Sequence, residues 1–270
     1  MNRSWAIALS IFAAIVVATI LVRPSNDRDW SVDQAVLAKA DFHPPFVTIH
    51  DIRNFSYITA DRYVPAYYDK TFDLRKLDSV WFVVEPFGTA GAAHTFVSFG
   101  FGSEDFVAIS IEIRKEKGES FSPVGGLLRR YEIMYVIGDE RDLIKLRSNY
   151  RNDAVHLYRV NTTPAKMRAM FLAMLQRANQ LRDRPEFYNT LTNTCTTNLV
   201  RHVNAITAKR VPFRLAILLP ADSDRLAFDV GLVGDPSRPF AEIRRAARIN
   251  ERAKRFADDP LFSKRIREGL

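Results

Sequence analysis

Chemistry has few places to reside in this chain. Cys195 is the only cysteine among 270 residues, and the candidate bases are His43, His50, His94, His156 and His202. The stretch Tyr188-Asn189-Thr190-Leu191-Thr192-Asn193-Thr194 is polar up to Cys195, after which Leu199, Val203 and Ile206 recur at helical spacing. That pattern predicts a helix that begins at the cysteine, with Asn193 or Thr194 as its N-cap. Unpaired N–H groups and the positive end of the helix dipole stabilise an anion at such a position, which lowers a thiol's pKa. A lone cysteine is most often a small buried hydrophobe. It becomes a nucleophile only where a histidine reaches it in the fold.

His94 is the best placed of the five. It follows the small-residue segment Gly88-Thr89-Ala90-Gly91-Ala92-Ala93 and opens a strand-like run to Phe101, while Phe106 to Arg114 forms a second run with Gly102-Ser103-Glu104-Asp105 between them. The two read as a hairpin. In the second strand Ile109, Ile111 and Ile113 point to one face, so Ser110, Glu112 and Arg114 point to the other. A turn centred near Ser103 sets His94 across from Ile111 or Glu112. Glu112 is then a candidate to fix the imidazole's tautomer, and its rival role is one half of an ordinary exposed pair with Arg114. His202 lies on the cysteine's own helix seven residues on, roughly 10 Å along the axis, too far to act as its base. No metal-ligand spacing, glycine-rich phosphate loop, nucleotide fingerprint or G-x-S-x-G elbow occurs, so neither metal nor cofactor is expected.

The elements that must position these groups read as α+β. Strands are expected at 47–53, 79–85, 131–137 and 154–160, with a charged helix at 139–150. Thr163-Pro164 starts the clearest helix, whose stripe runs through Met167, Met170, Phe171, Met174, Leu175, Ala178 and Leu181 until Pro185 ends it. No internal repeat is present. Ahead of all this, Trp5 to Val22 is a run of eighteen residues without a charge, long enough to span a membrane as a helix. A cleavable signal peptide is the rival, but Thr19-Ile20-Leu21-Val22-Arg23-Pro24 offers no good cleavage site. The expected organisation is a signal anchor over 1–23, a linker over 24–45, a domain over 46–235 and a basic amphipathic helical tail over 236–270. The domain would then lie outside the cytoplasm, where an unpaired thiol has no structural disulfide to make.

The formal net charge is +8. Between Arg238 and Leu270 ten Lys or Arg stand against five Asp or Glu, so the tail carries five of the eight excess charges. Its Phe240, Ile243, Ala246, Ala247, Ala253 and Phe256 recur at helical spacing. It reads either as a helix packed on the domain or as one lying on a membrane surface. Nucleic acid is not expected as a partner, because basic and aromatic residues interleave in no known module.

Four segments together resemble a bacterial family, named for the N-terminal periplasmic domain of Lnb, a lipoprotein intramolecular transacylase. They are Arg53-Asn54-Phe55-x-Tyr57, Ala93-His94-Thr95-Phe96-Val97-Ser98-Phe99, Ser110-Ile111-Glu112-Ile113-Arg114, and Glu186-Phe187-Tyr188 through Asn193-Thr194-Cys195-Thr196-Thr197. The resemblance implies a papain-like fold of the permuted kind, similar to cell-wall cysteine endopeptidases and lecithin:retinol acyltransferase, with histidine before cysteine in the chain. It implies Cys195 as nucleophile, His94 as base and Glu112 or Ser110 as the polar orienter. Arg53, Tyr57, Tyr188 and Asn193 fall in the matching motifs as substrate-binding or structural residues.

The function expected from these readings is an extracytoplasmic, membrane-anchored thiol acyltransferase or hydrolase that acts on an acyl-lipid or lipoprotein. A peptidoglycan amidase or endopeptidase with the same dyad is the second expectation, and a tethered binding domain with an idle dyad is the third.

Overall fold

The computed structural model describes Trp5 and residues 21–88, 91–208 and 210–270. The anchor expected over 1–23 falls almost wholly outside these residues. Among the described residues no helix is long and apolar enough to cross a membrane.

Strands β1 (Lys39–His43), β2 (Phe46–Arg53), β3 (Ser56–Tyr57), β4 (Tyr63–Val64), β5 (Tyr67–Asp73), β6 (Leu77–Pro86), β7 (Ala93–Phe101), β8 (Asp105–Arg114), β9 (Glu132–Gly138) and β10 (His156–Arg159) alternate with short and long helices. The helices are α1 (Pro123–Leu127), α2 (Glu140–Lys145), α3 (Pro164–Asp183), α4 (Cys195–Ile206), α5 (Leu215–Leu218), α6 (Ser223–Asp229), α7 (Phe240–Ala247), α8 (Asn250–Arg255) and α9 (Phe262–Arg265). One mixed sheet has the order β1-β2-β9-β8-β7-β6-β10, with β5 also paired to β2 and the hairpin β3-β4 apart. Its centre is antiparallel, and β2 meets β9 in parallel through Arg53 and Gly138 alone. The α+β expectation holds, with a mostly antiparallel sheet packed by helices.

Both faces of the central strands are buried, which is why their sequences are close to continuously apolar. On one face Val97, Phe99, Val107, Ile109 and Ile111 pack against the methionine stripe of α3 and Leu199 of α4. On the other, Trp81, Val83, Phe96, Phe106, Met134 and Val136 pack against Leu143 and Ile144 of α2. The hairpin register pairs Phe96 with Ser110. Extended by two residues it sets His94 beside Glu112, as the sequence spacing anticipates.

Of two peripheral segments, the first departs from its expected form as a linker and the second takes the packed one of its two expected forms. Residues 24–45 are folded onto the sheet: they contribute β1, Trp30 is buried, and the Arg114 guanidinium sits 4.2 Å from the Trp30 ring while donating to the Gln34 and Ala35 carbonyls. Arg114 is therefore an internal clamp, not part of an exposed pair. The basic tail is three short helices, and its Ile249, Ala253, Phe262 and Ile266 complete the core under Trp81 and Phe106. The apolar spacing there reports burial against the sheet.

Candidate active site

Cys195 is the first residue of α4, and its position is set by the cap before it. The Thr194 hydroxyl accepts from the Thr197 N–H at 3.2 Å, and the Thr197 hydroxyl accepts from the Thr194 N–H at 2.7 Å, a reciprocal capping box. Asn193, the other expected cap, holds the preceding loop: its amide donates to the Phe187 carbonyl, and its oxygen accepts from Asn198 and Arg201. It is a scaffold for the turn. Tyr188 pairs its N–H with the Tyr131 carbonyl, and its ring lies near enough to Cys195 that the thiolate helps raise the phenol's pKa, after burial, far above the usual range.

The Cys195 thiol lies near enough to His94, which arrives from β7, that each governs the other's titration, and Thr95 beside it fastens strand to helix through a 3.0 Å bond to the Thr196 hydroxyl. Burial pushes the thiol up. Its proximity to His94, the Thr95 N–H and the Thr196 hydroxyl outweigh it and bring the thiol down to about 6. For His94 burial works downward, and the Cys195 partner raises it above its ordinary value. The two therefore favour a thiolate–imidazolium pair.

Behind His94 stands a chain of hydrogen bonds with a determinate direction. The Ser110 hydroxyl donates to Glu112 Oε1 at 2.8 Å and lies 2.6 Å from His94 Nε2. A hydroxyl has one proton to give. Ser110 must therefore accept from Nε2–H, which leaves Nδ1 as the ring nitrogen not engaged by Ser110. Glu112 Oε1 is also 3.8 Å from Nε2, so it backs the imidazole mainly through Ser110. Burial pushes Glu112 up, but Arg147, His94 and Arg53 hold it well below the usual carboxylate range.

Arg147 is the residue at the site that sequence reading missed. Its guanidinium donates to Glu112 Oε1 at 2.9 Å, to Glu85 Oε2 at 2.6 Å and to the Leu143 carbonyl, and lies 5.0 Å from the Phe96 ring, on which His94 also stacks. Glu85 and Asp142 escaped notice as well. The available signal was a charge embedded in an apolar pattern: Glu85 ends the run Val80-Trp81-Phe82-Val83-Val84, and Arg147 follows Leu143 and Ile144 at helical spacing. Arg53 and Tyr57 are not brought to Cys195. Arg53 forks onto Asp142 at 2.9 and 3.0 Å, and the Tyr57 hydroxyl and Phe55 N–H donate to the same carboxylate. Together they form a buried polar layer behind Glu112 and Arg147. His202 bonds the Tyr135 hydroxyl at 2.9 Å, apart from the thiol.

On the far side of Thr196 an apolar pocket opens along α4. Val80, Phe82, Val97, Leu199, Val203 and Leu226 are among its walls, and Thr196 and Ser223 are the polar residues that line it. It holds about 670 Å³ of empty space, part of it open to solvent. The arrangement can supply a thiolate at neutral pH, a proton on the neighbouring imidazole, and an apolar chamber one residue from the sulfur.

Compared with known protein families, residues 63–228 match the model of the Lnb N-terminal periplasmic domain. No curated protein and no solved structure matches the chain.

Proposed function

The chain belongs to the Lnb N-terminal periplasmic domain family, and from that premise we propose that it is a membrane-anchored, extracytoplasmic thiol acyltransferase or hydrolase acting on an acyl-lipid or lipoprotein. Its domain would have the papain-like fold of the permuted kind. In the reaction, Cys195 S⁻ attacks the carbonyl carbon of an ester or amide, and the amides at the start of α4 stabilise the oxyanion. The C–O or C–N bond breaks as the His94 imidazolium gives its proton to the leaving alkoxide or amide. The acyl group is then a thioester on Cys195. An amine or water attacks it, His94 takes that nucleophile's proton, and the thiolate leaves.

The observation that carries the reading is the pocket beside Thr196, walled by Val97, Leu199, Val203 and Leu226. Such a chamber suits an alkyl chain, since each buried CH₂ contributes about 0.8 kcal/mol. A peptidoglycan strand would need polar partners there. The mutual effect of His94 and Cys195 on each other's titration likewise favours chemistry over an idle scaffold.

The test is acylation of the full-length protein in detergent by p-nitrophenyl esters of increasing chain length, followed by mass and by release of nitrophenol. We expect a hydroxylamine-labile adduct on Cys195, formed faster with longer chains, lost in Cys195→Ala, and shifted toward short chains in Val203→Trp. If no ester acylates a thiol that iodoacetamide still alkylates, the acyl-transfer reading fails.

A further inference from the structure

Among the described residues, five large apolar side chains cluster on one small surface without protein cover. Phe121, Val124, Leu127, Leu128 and Leu191 are each between 43% and 62% exposed. Four lie in and beside α1, which the Ser122 cap and Pro123 start, and the fifth lies on the loop that leads to Cys195. That loop is fixed to α1 by the Thr190 hydroxyl, which donates to the Pro123 carbonyl at 2.7 Å, and by the Phe121–Tyr188 ring contact.

The helix is inside out. Its buried positions are Gly125 and Gly126, while its large residues face solvent. A Cβ at Gly126 would stand 2.3 Å from Thr190 Oγ1 and 3.0 Å from the Tyr188 ring, so the small residues are there to let the loop approach. Nothing about the domain's own packing requires leucine or valine on the outer side. An exposed apolar patch of this kind marks an interaction surface.

Where the chain enters the domain indicates what covers it. The Ser25 N–H donates to Glu132 Oε1 at 3.0 Å, and Arg28 pairs with Glu132 and Glu116. Glu132 pairs with Phe187, and Tyr131 next to it packs its ring at a tilt against Phe121 and accepts the Tyr188 N–H at its carbonyl. Residue 25 is thus pinned beside the patch. The uncharged run 5–22 ends three residues earlier, a span of at most about 10 Å of extended chain. Exposed Arg23 stands two residues before Ser25, and such a cation suits anionic headgroups.

We propose that the α1 face docks on a lipid bilayer, with Phe121, Val124, Leu127, Leu128 and Leu191 inserted at the headgroup level. Docking in this way holds the 188–194 loop, and with it the approach to Cys195, at the membrane surface. The proposal needs no turnover, so it stands or falls separately from the acyl-transfer reading.

Because Cys195 is the only cysteine, full-length Cys195→Ser is a cysteine-free background. Val124→Cys, Leu127→Cys and, as a control on the exposed β3-β4 hairpin, Val64→Cys would each be spin-labelled and reconstituted into phosphatidylethanolamine–phosphatidylglycerol vesicles. The expected result is that labels at 124 and 127 lose accessibility to an aqueous nickel chelate and keep accessibility to oxygen, while the label at 64 shows the reverse. Labels at 124 and 127 as open to nickel as the one at 64 would overturn the proposal. Protection from both reagents would overturn it too, since it would mean that protein covers the face.

Discussion

At the scale of single residues, the direction of the proton chain decides what Cys195 can do. Because Ser110 gives its proton to Glu112, His94 must present Nε2–H to Ser110, and Nδ1 is the nitrogen left to act as a base. A thiol brought down to about 6 should alkylate with a midpoint near that pH, and His94→Ala should raise the midpoint, because burial is then opposed only by the Thr95 N–H and the Thr196 hydroxyl. The midpoint, followed by iodoacetamide labelling across pH, is a better readout than a rate at one pH, since a more basic thiolate is also a stronger nucleophile. For turnover the sign runs both ways. Activity should rise as pH passes about 6 and the thiolate forms, and fall as pH passes the raised value of His94 and its proton is lost. Arg147 acts one step further back, as a positioning residue. Arg147→Met would deprive the buried Glu85 and Glu112 of the guanidinium they share, at a cost of about 3–5 kcal/mol in denaturant unfolding. Arg147→Lys should recover only part of it, because one ammonium cannot reproduce the fork that spans both carboxylates. Adding Glu85→Gln to Arg147→Met should recover more.

At the scale of elements, α4 and the β7-β8 hairpin do the positioning, and both were legible because their signals are local. A polar-to-apolar switch marks the start of α4, and strict alternation through Ile109, Ile111 and Ile113 fixes which side chains share a face with Glu112. The choice between Asn193 and Thr194 was not legible, since both are good caps and only the loop's three-dimensional course assigns Asn193 to the Phe187 carbonyl. The buried polar layer was illegible for a different reason. Arg53, Tyr57 and Asp142 meet across |i−j| separations of 85 and more, and nothing in one segment announces its distant partner. The cap itself makes a prediction at this scale. Thr194→Ala should cost about 1 kcal/mol of stability and Thr194→Ser little, read by denaturant midpoint. The alanine variant should also raise the alkylation midpoint of Cys195, because a frayed first turn no longer holds the thiol against His94 and the Thr95 N–H.

At the scale of the whole molecule, the basic tail changes meaning. Its charge and amphipathic spacing left open whether it packs on the domain or lies on a membrane, and several of its cations turn out to be paired with acids elsewhere in the domain. Arg267 pairs with Glu140 at 2.6 Å and lies 3.7 Å from the Phe106 ring, Arg244 pairs with Asp224, and Lys264 pairs with Glu104. Sequence alone could not separate these readings, because a helix that packs on a sheet and one that packs on lipid need the same apolar stripe. Phe262 makes the distinction testable. It is fully buried under Trp81, Phe106 and Ile266, far along the chain from the strands it covers. Phe262→Ala should therefore behave as a core truncation, costing about 3–5 kcal/mol. In a domain of this size that is a fall in melting temperature of roughly 10 °C. A tail that merely rested on a membrane would tolerate the change in detergent without loss of stability, so thermal unfolding of this one variant separates a structural clamp from a peripheral anchor.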